Sequence, residues 1–323
     1  MPWWKSLQVM NENKGVFGLN MLWTLVFTYP LMVAVQVISA RIGRVTGRGL
    51  AANLLCIVPR WAVILLVASL FVANTINIGA DIAAMGAAAE LLIGSGAMAF
   101  TVTSAAISLL LQVFVPYRLY VRVLKWLTLV LFAYVGVIFA VRIDWTQVAL
   151  HIVAPDIPLT ADWITVVVAV FGTTISPYLF FWQTAEEIED MEMHNQADLK
   201  HLPRSAAKLQ LRRVNIDTFT GMAISNFVAF FIILTTAVTL NQAGVTDIQT
   251  SADAANALKP IAGQFAFLLF SLGIIGTGFL AVPVLAGSTA YAACDTFGLP
   301  AGLEKKPGEA KDFYGFILAG MLI

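Results

Sequence analysis

Charge is what this sequence has least of. Aspartate, glutamate, lysine and arginine make up 12% of the 323 residues, where a soluble domain carries about 25%. Apolar residues make up 59%. A chain of this length could not hide that much apolar surface from water, so lipid has to be the solvent for much of it. The 19 basic and 19 acidic residues cancel, which argues against a nucleic-acid partner and against strong steering of anions. Cysteine is nearly absent: Cys56 and Cys294 lie far apart without metal spacing, so neither a disulfide framework nor a thiolate centre is expected. His151, His194 and His201 all fall between apolar segments, and no His/Glu or Ser/Lys pair sits within one at catalytic spacing. The chain is therefore not read as an enzyme, and no permanently bound cofactor is expected. No signal-peptide core follows the polar stretch Met1 to Lys14, which carries Trp3 and Trp4.

What is present is a series of apolar segments. Seven are long enough to cross roughly 30 Å of hydrocarbon at about 1.5 Å per residue: about 17–40, 61–92, 97–116, 124–142, 163–184, 217–240 and 262–293. An eighth starts at Phe313 and runs to Ile323, too short to span. The whole chain, 1–323, is read as one all-α, multi-pass transmembrane domain. Arg41, Arg44, Arg48 and Arg60 follow the first segment, Arg118, Arg122 and Lys125 the third, Lys200 to Arg213 the fifth, and Lys305, Lys306 and Lys311 the seventh. These basic connections all lie on one side, which the positive-inside rule makes cytoplasmic, and a plasma-membrane location is expected. The first visible span then runs inward from a short outer N-terminus, so a preceding helix and several following ones are expected beyond the sequence given. The longest polar connection, 185–214, joins Glu186, Glu187, Glu189, Asp190 and Glu192 to the basic cluster. It is read as a solvated loop, with a cation-gathering vestibule as the alternative.

One apolar segment is interrupted. The stretch "FGTTISPYLFFW", residues 171–182, sets Gly172, Thr173, Thr174, Ser176 and Pro177 in a row. Thr173 is about ten residues, or roughly 15 Å, into its span, at the bilayer midplane. Pro177 has no amide proton and its ring crowds the carbonyl four residues earlier, that of Thr173. Gly172 gives the backbone freedom to unwind. Carbonyls freed in lipid cost several kcal/mol each unless protein, water or an ion satisfies them, and broken helices at the midplane are how many secondary transporters build sites. The alternative is a plain proline kink whose Thr and Ser hydroxyls bond back to carbonyls a turn earlier.

Other polar residues lie at depth. Asn226, about nine residues inside Asp217, carries an amide that needs a partner in lipid, met either by an interhelical hydrogen bond or by a ligand path. Asp81 lies about two-thirds along its span, with Asn74 and Asn77 one to two turns below. An intramembrane acid marks a pathway unless it sits at the hydrated outer interface. The glycines of "NTINIGADIAAMG" and "SLGIIGTGFLAVP" are read as close-packing positions.

Taken together, "QVISARIGRVTGRGLA", "GADIAAMGAA", "LQVFVPYRLYVRVLKWLTLVLFAYV", "FGTTISPYLFFWQT" and "GTGFLAVPVLAGSTAYA" resemble the Nramp family of divalent metal transporters, and more narrowly a bacterial branch related to magnesium transporters. The resemblance runs from about Phe17 to Ile323. It implies the LeuT-like inverted-repeat fold, with the segments here corresponding to the second through eighth helices and the start of the ninth. The family's first helix, with its Asp-Pro-Gly-Asn motif and acidic metal ligand, has no counterpart in Met1 to Lys14. In the family the sixth helix reads Gly-Ala/Thr-Thr-Ile-Met-Pro-His, and here it reads "GTTISPY". The resemblance thus gives Thr173 the metal-binding backbone carbonyl and puts Ser176 in place of the methionine ligand. Tyr178 replaces the first histidine, and Gln183 falls where a second is usual. Asp81 matches the acid of the third helix, Ala84 stands where a glutamate is typical, and Asn226 resembles the seventh-helix asparagine near the metal path.

Hydroxyl and carbonyl oxygen favour Mg²⁺, Ca²⁺ or Mn²⁺ where thioether favours softer ions. Loss of both histidines removes the groups that titrate most naturally near neutral pH. The expected function is alternating-access transport of a divalent cation, Mg²⁺ or Mn²⁺ before softer ions, with weakened proton coupling. The metal ion is the substrate and the lipid bilayer the surrounding partner, and the sequence gives no oligomeric state. A sodium-coupled organic-solute carrier of the same fold, or an inactive piece of a transporter, are the alternatives.

Overall fold

The computed structural model describes residues 17–94, 96–115, 143–194, 199–243 and 251–322, together with 119, 122, 126, 129–132 and 135. The expected fourth span, 124–142, falls largely outside these. Eleven α-helices and two short 3₁₀ turns, Leu129–Phe132 and Leu199–His201, make up the described residues. The helices are α1 (Phe17–Asn20), α2 (Leu22–Thr46), α3 (Leu50–Leu54), α4 (Arg60–Ile93), α5 (Ala97–Phe114), α6 (Trp145–Val153), α7 (Ala161–Thr174), α8 (Pro177–Met193), α9 (Arg204–Ala243), α10 (Ser251–Phe297) and α11 (Lys311–Leu322). Among the described residues, six stretches are long and apolar enough to cross a membrane: α2, α4, α5, the pair α7–α8 from Trp163, the Arg204–Thr235 part of α9 and the Ser271–Phe297 part of α10.

Helix ends follow local chemistry. The α2 helix stops where Gly47 takes a left-handed conformation (φ 60°) and its amide donates to the Gly43 carbonyl at 2.9 Å, as a C-terminal glycine commonly does. Asp144 caps α6 by accepting from the amides of Thr146 and Gln147, and His151 lies on this short helix. Thr160 caps α7 through the Trp163 amide. Two expected boundaries are corrected. The basic cluster from Arg204 to Arg213 is the first three turns of α9, and the acids at 186–192 extend α8, so residues 185–193 and 204–214 of the supposed loop are helix. Mixed charges at helical spacing read as a solvated connection in sequence, yet here their partners lie on other helices.

Hydrogen bonds and close approaches fix the register. The α2 helix runs alongside α7 and α8: Trp23 stacks on Trp163, Phe27 meets Phe171, and Thr184 Oγ1 donates to the Ser39 carbonyl at 3.1 Å. At Gly43 a Cβ would lie 2.6 Å from the Thr184 carbonyl oxygen, so only glycine lets the two backbones come this close. Against α9, α2 runs antiparallel, with Leu25 beside Asn226, Tyr29 beside Phe219 and Arg41 beside Asn215. On the other flank α4 and α10 pack antiparallel. Asn74, 2% exposed, donates to the Leu285 carbonyl and to the hydroxyls of Ser288 and Thr289, while Met85 fills the space at Gly278. The main core lies here: Ile78 and Ile82 of α4, Trp182 and Ala185 of α8, Leu285 and Tyr291 of α10, and Phe313 and Ile317 of α11. This register gathers Arg44, Arg213 and the α10–α11 connection at one end of the bundle, here called the basic end.

Candidate metal site at the broken helix

The interruption read from sequence is present. The α7 helix ends at Thr174, Ile175 (φ −109°, ψ 62°) and Ser176 (φ −83°, ψ 133°) leave helical geometry, and α8 restarts with Pro177 as its first residue, where proline is at home because its missing amide proton would have had no helical partner. The last amide bond of α7 runs from Ile175 to the Phe171 carbonyl at 2.8 Å. The residue four positions beyond Thr173 is Pro177, so the Thr173 carbonyl has no α-helical amide donor. In its place Ser176 Oγ donates to the carbonyl oxygens of Gly172 (2.7 Å) and Thr173 (3.0 Å). Thr173 and Thr174 hydroxyls donate to Val170, and Thr174 also to Phe171. Back-bonding hydroxyls, the signature of the plain kink, therefore occur within a true break.

Chemically, the break offers oxygen. The carbonyl end of α7 carries the negative pole of its helix dipole toward the gap. A hydroxyl that donates its one proton still has lone pairs to offer, so Ser176, 7% exposed, can bond back and face a cation at once. Gly172 and Pro177 lie on the exposed side of the segment. Among the described residues no group of three or more His, Cys, Asp or Glu gathers to hold a metal.

The other sequence-named residues distribute around this point. Tyr178, on the first turn of α8, packs against the cluster of Ile78 and Ile82 and is within electrostatic range of Asp81. Two residues about a hundred positions apart in sequence thus come within electrostatic range of each other. Asn226 donates to the Leu25 carbonyl at 2.9 Å, and its Oδ1 is buried with no partner. Leu25 lies between Trp23, stacked on Trp163, and Phe27, against Phe171, which sets Asn226 level with the α7 half of the broken segment. Asn77 is half-buried on α4. Gln183 does not turn to the break: its amide donates to Glu187 Oε1 at 3.1 Å.

Glu187 belongs to a feature the sequence did not reveal. Arg44, counted there as a loop cation, is 2% exposed. Its Nε donates to Glu187 Oε2 at 2.6 Å, Nη1 to Gln210 Oε1 at 2.9 Å, and Nη2 to Asp190 Oδ2. One guanidinium thus joins α2, α8 and α9. The only sequence signal was a basic residue one turn before the Gly47 stop. Gln36 on α2, 1% exposed with Oε1 unpartnered, also escaped notice.

Comparison with known proteins places this architecture. The chain is 25% identical to a divalent metal cation transporter MntH of Pectobacterium carotovorum, covering 96% of this chain and 73% of that protein. It is 24% identical to the MntH of Acidiphilium cryptum, covering 90% and 66%. Among solved structures, a mutant of the manganese transporter of Eremococcus coleocola superposes with a TM-score of 0.72 at 15% identity, over 99% of this chain and 66% of that one. The chain thus spans about two thirds to three quarters of these relatives, and it shares the LeuT-like fold of the solved transporter. The model of natural resistance-associated macrophage protein-like sequences matches residues 12–323, and the chain belongs to the Nramp family.

Proposed function

We propose that the protein carries divalent cations across a membrane by alternating access, with the α7–α8 break as the midplane site. The observation that supports this is the break itself: the Thr173 carbonyl, whose helical partner would be Pro177, lies beside the buried Ser176 oxygen. The cation is the substrate, held partly hydrated by the Thr173 carbonyl and Ser176 Oγ, with Asn226 along its path. Related transporters of this family carry divalent metal cations, as their names state. In this reading the basic end faces the cytoplasm and the protein lies in the plasma membrane.

Oxygen in place of thioether, and tyrosine and glutamine in place of imidazole, favour Mg²⁺ or Mn²⁺ and loosen proton coupling. Flux into liposomes containing the whole protein tests this. Mg²⁺ and Mn²⁺ entry with little acidification is expected, and vigorous Cd²⁺ entry with strong acidification would overturn the assignment. Ser176→Met, which introduces a thioether at the same point, is expected to raise Cd²⁺ flux relative to Mg²⁺ flux about tenfold, equivalent to about 1.4 kcal/mol.

A further inference from the structure

The basic end of α8 is gripped on two faces, and the two grips differ physically. Toward α2 and α9 it is held by Arg44 through Glu187 and Asp190. Toward α10 and α11 it is held by Glu189. Glu189 Oε1 accepts from the Tyr291 hydroxyl at 2.5 Å and from the Leu303 amide at 2.7 Å, and the Leu303 amide is also 3.0 Å from the Tyr291 oxygen. Gly302 makes this possible: its φ is +149°, and a Cβ there would lie 2.9 Å from the same carboxylate oxygen. Tyr291 is further seated by the edge of Trp182 and the ring of Phe313, and Tyr314 holds the loop by donating to the Lys305 carbonyl at 2.9 Å.

Parting the Arg44 grip would strand a buried guanidinium, a severe cost. Parting the Glu189 grip asks much less. It separates a partly exposed carboxylate from a phenol and one amide, bonds worth about 1–3 kcal/mol each, and leaves no guanidinium unpaired. The helices α2, α8 and α9 must then move together, and the seam between α8 and the α10–α11 connection is the one that can open.

We propose that Glu189 is a positioning residue for transport: its clasp on Tyr291 and Leu303 closes the passage from the break to the basic end, and its release opens it. This rests on the transport reading above for its purpose, although the contact and its release can be tested independently. Cys294, 0% exposed in the same core as Ala185, Tyr291 and Leu303, is a native reporter once exposed Cys56 is replaced by serine.

The experiment measures labelling of Cys294 by a membrane-impermeant maleimide added from the basic side, in the whole protein reconstituted in liposomes. Glu189→Ala is expected to speed labelling about tenfold over the parent, Tyr291→Phe and Glu189→Gln by smaller factors, because each keeps part of the contact. Divalent-cation turnover should change in the same order, with thermal stability lowered least in Tyr291→Phe and Glu189→Gln and most in Glu189→Ala, which strands two buried donors. Should Glu189→Ala fail to fold, Tyr291→Phe and Glu189→Gln still decide. Labelling at the parental rate in folded variants would overturn the proposal. If no variant and no parent moves a cation while labelling still follows the expected order, the transport reading fails and the clasp stands.

Discussion

Arg44→Ala is expected to destabilise the protein by about 3–5 kcal/mol, the cost of leaving buried partners of an ion set unpaired. Arg44 is 2% exposed and engages three side chains on two other helices. Its removal leaves Glu187 and Asp190, 13% and 20% exposed, facing each other without their common cation. Some of this is relieved by Arg213, 3.7 Å from Asp190 and itself more than half exposed, which places the loss toward the lower end of the range. Thermal unfolding followed by Trp fluorescence in detergent measures it. Replacing the arginine and both acids together by apolar residues of similar size should recover most of the loss, because an apolar substitute for a buried ion set is often neutral. If Arg44→Ala alone leaves the unfolding temperature unchanged, the guanidinium is not the hub described.

Pro177→Ala is expected to act in the opposite sense on stability and function. Alanine supplies the amide proton that proline lacks, and that proton lies four residues after the Thr173 carbonyl. A bond between them would stitch α7 to α8 and withdraw the carbonyl from any cation. One net hydrogen bond is worth about 1 kcal/mol, and loss of the carbonyl as a ligand adds to it, so cation flux should fall about tenfold or more. Thermal stability should hold or rise. This pairing separates loss of a site from damage to the fold. Undiminished flux in a stable Pro177→Ala protein would show that the break contributes no ligand.

Local chemistry was what the sequence displayed. Glycine, β-branched hydroxyl residues and proline within six positions announced the interruption at Ile175–Ser176, because each acts on its own backbone. The expected end of the second span, residue 92, lies one residue from the observed end at Ile93, while that of the first, residue 40, falls six short of Thr46 because the polar last turns of α2 carry no apolar signal. What stayed hidden depended on partners far away in the chain. Asn226 announced that it needed a partner, but the Leu25 carbonyl lies 201 positions away. Arg44 looked like a loop cation because Asp190 and Gln210 approach it only after α8 and α9 have packed. The first turns of α9 looked like a loop for a related reason: their charges gave no apolar stripe, and their helicity is supported by Arg41–Asn215 and Arg44–Gln210 contacts. Gln183 was aligned with a metal-site position, yet its spacing of four from Glu187 drew its amide into the basic-end network.

The most direct test locates the ion. The whole protein, crystallised or imaged with Mn²⁺, should show the metal's anomalous signal or density within direct coordination distance, roughly 2.0–2.6 Å for hard cations on oxygen, of the Thr173 carbonyl, with Ser176 Oγ beside it. A metal bound elsewhere, with residues 171–179 continuing as uninterrupted helix, would contradict the account.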